Sequence, residues 1–123
     1  MADILIAEDD RAVREFVARA LQHRGHRVVT AEDGLEALAK LGGEPFDLLI
    51  SDIVMPGMDG IELALKASKD WPKMSVLLMT GYAHERQRAH NLDALGQAVV
   101  AKPFTLQQIC DAVDEALKRG MPQ

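Results

Sequence analysis

Five polar residues stand directly behind or at the end of short apolar runs. Glu8 and Asp9 follow Ile4-Leu5-Ile6-Ala7, Asp52 follows Leu48-Leu49-Ile50-Ser51, Thr80 follows Val76-Leu77-Leu78-Met79, and Lys102 follows Ala98-Val99-Val100-Ala101. Three carboxylates brought within a few ångströms repel one another and drive protons onto the site. A divalent cation removes that conflict, and carboxylate-rich, all-oxygen ligation suits Mg2+. Lys102 adds a movable positive charge and Thr80 a donor hydroxyl, so the set describes a site for an incoming phosphoryl group. In this reading Asp52 is the nucleophile and forms an acyl phosphate. Asp9, Asp52 and the backbone carbonyl of Val54 hold the metal, and Glu8 reaches it through water. Each residue alone has a duller explanation: a surface lysine, a turn-forming threonine, a solvated helix start, a carboxylate capping the next turn. Their joint placement carries the inference.

That placement requires elements that end together. Each apolar run reads as a buried strand, with a further strand at Val28-Val29-Thr30-Ala31. Between them lie helical patterns. Val13, Phe16, Val17, Ala20 and Leu21 follow the expected cap Asp10 and stop at Gly25. Leu35, Leu38 and Leu41 follow Asp33-Gly34 and close at Gly42-Gly43 and Pro45. Ile61, Ala64 and Leu65 follow Gly60 and end at Trp71-Pro72. Leu106, Ile109, Cys110, Val113 and Leu117 share one face of the last helix. Apolar strands alternating with helices imply a three-layer α/β fold around a five-stranded parallel sheet, in which all strand ends face one crevice.

Composition narrows the class. The 123 residues fit one domain, 1–123, and 48% hydrophobic content supplies a core. No run approaches the roughly 18 apolar residues of a membrane span. The start is interrupted by Asp3, Glu8, Asp9 and Asp10, and Cys110 is the single cysteine, so a cytoplasmic protein without disulfides is expected. A net charge of −5 with dispersed Lys and Arg argues against direct contact with nucleic acid.

The stretches ILIAEDD (Ile4–Asp10), LLISDIVMPGMDG (Leu48–Gly60), LLMTG (Leu77–Gly81) and AKPF (Ala101–Phe104) together resemble the response-regulator receiver domain, the CheY-like family of two-component signalling. The resemblance covers essentially the whole chain. It implies a (βα)5 flavodoxin-like fold with strand order 2-1-3-4-5 and phosphorylation of Asp52 by a histidine kinase or histidine phosphotransfer protein. It further implies Mg2+ dependence, slow self-dephosphorylation, a cis Lys102–Pro103 bond, and closure of Thr80 on the phosphoryl group. The DIVMPGMDGIELA and TGYA stretches look most like CpdR-type receivers of alphaproteobacteria, which control ClpXP proteolysis, making ClpX a candidate target. A stand-alone receiver is expected from the start at Met1; the alternatives are a fragment of a larger transcriptional regulator or an interaction module that takes up no phosphate.

Two departures from the family pattern bear on output. Glu8 stands where many relatives carry Asp, which keeps the acidic pair. Val99 stands where many carry a switching aromatic; Tyr82 either takes over that coupling or is a partly exposed tyrosine without it. The polar segment from His84 to Leu95 lacks an apolar stripe and is expected to form a short or mobile helix. The expected partner face combines that segment with the fifth strand and last helix, around Val99 to Gln107. His23, His26, His84 and His90 lack metal-ligand spacing and are expected on the solvated surface. Cys110 and Met55, Met58, Met74 and Met79 read as packing residues, and Trp71 as a cover for a helix end. Other functions fit less well. A haloacid-dehalogenase-like phosphatase wants an acid two residues after the nucleophile, where Val54 stands. A flavin phosphate would meet Glu8-Asp9-Asp10. There is no Gly-rich Lys-Ser/Thr phosphate loop.

Overall fold

A computed structural model describes residues 1–81 and 98–120. Five parallel strands, β1 (Asp3–Ala7), β2 (Arg27–Ala31), β3 (Leu48–Asp52), β4 (Ser75–Thr80) and β5 (Ala98–Ala101), pair in the order β2-β1-β3-β4-β5. Helices α1 (Arg11–His23), α2 (Gly34–Gly43), α3 (Gly60–Asp70) and a C-terminal helix (Leu106–Gly120) cover the sheet. The strand order and layering agree with the sequence-based expectation. The expected helix between His84 and Leu95, and Tyr82 with it, lie outside the described residues.

The apolar runs have no polar face because the sheet is packed on both sides. Alternate residues divide between two cores, as the two-residue period of a strand requires. Ile4, Ile6, Leu48, Ile50, Leu77 and Met79 pack under α1 and the C-terminal helix. Leu5, Ala7, Leu49 and Leu78 pack under α2 and α3. Cys110 is buried among the first set, while Met55 and Met74 lie in the second core with Met58 and Trp71 against it. Strands β2 and β5, at the two ends of the order, are largely half-buried rather than enclosed.

Several leucines depart from the expected faces. The buried stripe of α2 runs through Gly34, Ala37 and Leu41, so Leu35 is 63% exposed; α3 buries Ile61, Leu63, Ala64 and Ala67, leaving Leu65 out. In both cases a neighbouring small residue takes the core position and the leucine falls about 100° away around the helix. Leu106 occupies the first turn of the C-terminal helix and lines a groove with Phe16 and Cys110 instead of entering the core. Phe16, also expected in the core, is partly exposed and rests against Phe104 with ring centroids 6.3 Å apart. His26 departs from a purely solvated role, since its Nδ1 accepts the Ala2 backbone N–H at 3.0 Å and it is half-buried.

The helix starts are built by aspartates. Asp10 accepts the N–H groups of Ala12 and Val13, Asp33 that of Glu36, and Asp59 that of Glu62. Such caps are each worth about 1 kcal/mol. The α2 and α3 starts share the pattern Asp-Gly-apolar-Glu, and both glycines are required by close approach. A Cβ at Gly34 would lie 2.7 Å from the Met58 carbonyl oxygen, and one at Gly60 would overlap the Asp52 carbonyl oxygen. Gly60 also donates its N–H to the Ile53 carbonyl at 2.8 Å. The end of β3, and with it Asp52, is therefore locked against the first turn of α3.

Gly60→Ala is expected to lower stability by about 2–3 kcal/mol through overpacking against backbone. Gly42→Ala, where a Cβ meets nothing within 4 Å, is expected to be neutral or to gain up to about 1 kcal/mol. Urea midpoints of the two variants check this; equal midpoints would contradict it.

Candidate functional site

The sheet order reverses at β1 and β3: the chain leaves β1 toward β2 on one side and returns to β3 on the other. Ligand crevices of open α/β sheets form at such switch points, beyond the carboxyl ends of the strands. Glu8 and Asp9 follow β1 there and Asp52 ends β3. Asp52 pairs with Met79 in register, and Thr80 with Ala101, so the ends of all four strands lie side by side. Two backbone hydrogen bonds tie them: Ile53 N–H to the Met79 carbonyl at 3.1 Å, and Lys102 N–H to the Thr80 carbonyl at 2.7 Å.

The result is an open cleft of about 720 Å³, lined on its polar side by Glu8, Asp9, Asp10, Asp52 and Lys102, and also by Val54. Carboxylate oxygens of Glu8, Asp9 and Asp52 all lie within 4.8 Å of one another. Glu8 is fully buried and Asp52 nearly so, while Asp9 is exposed. The Lys102 ammonium lies between the two buried acids, 2.6 Å from Glu8 Oε1 and 2.9 Å from Asp52 Oδ1. The Lys102–Pro103 peptide is cis, as the family resemblance implies. Thr80 Oγ1 is buried and has no hydrogen-bond partner among the described residues. A buried hydroxyl left in that state costs about 1–3 kcal/mol, which singles it out beside this cleft. Val99 is half-buried and packs toward the α2 and α3 core.

The electrostatics follow from crowding. Burial pushes the Glu8 carboxyl up to about 7; the Lys102 hydrogen bond opposes this and the Asp52 charge adds to it. Burial works against the charge on Lys102, but hydrogen bonds to Glu8 and Asp52 outweigh it and hold the ammonium above the ordinary lysine value. Among the described residues Lys102 thus serves two buried acids, and a third acid stands at the solvent side. Whether this set fits a Mg2+ ion can be judged from its donors. All are hard oxygens, they converge within the span of one coordination sphere, and the exposure of Asp9 leaves room for the waters that Mg2+ retains. They fit.

Sequence reasoning brought Glu8, Asp9, Asp52, Thr80, Lys102 and Val54 to this crevice; Glu8, Asp9, Asp52, Val54 and Lys102 line it, while Thr80 stands buried behind it at the end of β4, joined to Lys102 through the backbone. Sequence reasoning did not foresee that Glu8 turns to Lys102. The longer glutamate arm at a position next to a strand end was the available signal.

The chain belongs to the response regulator receiver domain family: the pattern of that family matches residues 4–114. It is a receiver of two-component signalling. Among curated relatives it is 38% identical to the response regulator receiver protein CpdR of Brucella abortus (strain 2308), over 95% of this chain and 98% of that protein. It is 33% identical to the response regulator MprA of Mycobacterium avium (strain 104), over 98% of this chain, and spans about half of that relative's length (53%). A CheY-like receiver domain protein from Methanospirillum hungatei JF-1 superposes with a TM-score of 0.88 at 33% identity, covering 98% of this chain and 96% of that one. Among the described residues no helix is long and apolar enough to cross a membrane.

The folded protein holds the Glu8 proton more tightly than an unfolded chain does. In the metal-free protein the stability contributed by Glu8 is therefore expected to be fully present below pH 4.5 and to be lost as pH rises through about 7. At about 1.4 kcal/mol per pKa unit, the expected loss is at most about 3 kcal/mol. Urea unfolding across that window checks it, and Glu8→Gln should flatten the slope; an unchanged slope in the variant would contradict this assignment.

Proposed function

We propose that this receiver accepts a phosphoryl group on Asp52 from a phosphohistidine of a histidine kinase or histidine phosphotransfer protein, and signals by protein contact. The observation that carries the proposal is the convergence of Glu8, Asp9 and Asp52 within 4.8 Å, with Lys102 reaching both Glu8 and Asp52. In the transfer a carboxylate oxygen of Asp52 forms the new O–P bond as the P–N bond of the donor breaks, and the imidazole leaves with its electron pair. The β3–α3 lock holds the Asp52 backbone still while the group arrives. Lys102, already 2.9 Å from Asp52, is placed to follow the negative charge onto the phosphoryl oxygens. The Thr80 hydroxyl, without a partner among the described residues, has a donor to give them, and turning toward them would displace the end of β4 at Thr80 and Gly81.

Asp9, Asp52, the Val54 carbonyl and Glu8 are the groups to hold Mg2+, with Glu8 acting through water. Bound there, Mg2+ neutralises charge on the oxygens being transferred. The receiver is not an enzyme toward other substrates; beyond accepting the group it catalyses only its own slow dephosphorylation.

The downstream face is proposed around Val99 to Gln107, on β5 and the start of the C-terminal helix. With Val99 in place of an aromatic ring, output through this face does not use ring rotation at that position, and Tyr82 is the remaining aromatic candidate for coupling. The resemblance to CpdR, which covers nearly the full length of both chains, supports a stand-alone receiver, 1–123, acting in the cytoplasm on a protein target, with ClpX as the candidate and ClpXP proteolysis as the process controlled. The match to half of MprA supports a second reading, the receiver portion of a larger regulator.

Intact mass after incubation with acetyl phosphate tests the chemistry. The expected result is a gain of one phosphate that requires Mg2+ and is absent in Asp52→Asn. A folded wild type that gains nothing would overturn the proposal in favour of an interaction module.

A further inference from the structure

Arg14 is the fourth residue of α1, and its side chain runs back toward the start of that helix, the direction helical side chains lean. Its Nη1 donates to the Glu8 carbonyl oxygen at 2.8 Å. The other terminal nitrogen lies 3.7 Å from Glu32 Oε1, beyond hydrogen-bond reach, and Glu32 is 71% exposed, so that ion pair contributes little. Arg14 itself is only 13% exposed. A cation at this end of a helix opposes the positive pole of the helix dipole, and burying its charge adds a desolvation cost. The bond to the Glu8 carbonyl is the compensating interaction.

That bond fixes more than one atom. The Glu8 N–H donates to the Ala31 carbonyl at 3.1 Å, so Glu8 is held by its own amide on one side and by Arg14 on the other. The carbonyl that Arg14 grips belongs to the peptide joining Glu8 to Asp9. The orientation of that peptide sets the directions in which both acids leave the end of β1.

We propose that Arg14 is a positioning residue for the acidic cluster: by holding the Glu8 carbonyl it orients the Glu8–Asp9 peptide so that both carboxylates meet Asp52 around one cation. This rests on the reading of the cluster as a Mg2+ site. Deleting a positive charge near three acids should by itself tighten cation binding. Loss of a group that orients metal ligands weakens it, commonly by about 10-fold or more.

The test is a calorimetric Mg2+ titration of wild type, Arg14→Met, Arg14→Lys and Glu32→Gln, each with a thermal melt to verify folding. Arg14→Met keeps an apolar stem and is expected to bind Mg2+ about 10-fold more weakly. Arg14→Lys, which retains a donor, is expected to recover part of the loss, and Glu32→Gln, which leaves the carbonyl bond intact, to bind as wild type does. Folded Arg14→Met with wild-type or tighter affinity would overturn the positioning role, as would an equal loss in Glu32→Gln. If Arg14→Met does not fold, Arg14→Lys decides, and wild-type affinity there overturns the role. A folded wild type that takes up no Mg2+ overturns the metal reading itself and the positioning role with it, an outcome distinct from failure of the variants alone.

Discussion

Two buried carboxylates sharing one lysine is the interaction on which the rest of this structure depends. Glu8 and Asp52 are drawn out of water at adjacent strand ends, and Lys102 reaches both, at 2.6 and 2.9 Å. Such an arrangement contributes little net stability, because desolvating the charges consumes most of what their attraction returns. Its consequence is a site in tension. Burial pushes the Glu8 carboxyl up to about 7, and Asp9 adds a third carboxyl group at the mouth. A cation or a phosphoryl group entering the cleft finds partners already in place.

The scaffold makes this arrangement rigid where it must be. Asp52 cannot shift without disturbing Gly60, whose missing side chain lets the α3 start press on the Asp52 backbone. Lys102 and Thr80 are joined through the backbone at the ends of β4 and β5. The unpaired Thr80 hydroxyl is the exception, a buried donor without a partner among the described residues. A fixed Asp52 backbone beside this unsatisfied hydroxyl gives the Thr80 side of the site something to gain by moving.

Much of this was legible in the sequence, for physical reasons that can be named. Fully buried parallel strands must be apolar throughout, so each run announced itself and each polar residue behind it marked a strand end. Asp10 declared the first helix by its capping chemistry. Less legible were contacts decided by three-dimensional approach. The exposures of Leu35 and Leu65 turned on small neighbours that occupy the core in their stead, that of Leu106 on its place in a groove with Phe16, and hydrophobicity alone does not rank Ala37 above Leu35. The glycines of the two Asp-Gly starts looked like turn formers and are also clearance for Met58 and Asp52. The pairing of Glu8 with Lys102 and the grip of Arg14 on the Glu8 carbonyl span 94 and 6 residues; the longer arm of Glu8 hints at the first, and the second has no local signature.

The most direct test of the central claim is to locate the modified atom. After incubation with acetyl phosphate and Mg2+, borohydride reduction converts an aspartyl phosphate to homoserine, and peptide mass mapping shows where. Homoserine at position 52 and nowhere else is the result this account predicts. Homoserine at Asp9, Asp10 or Asp59 with Asp52 unmodified would contradict it.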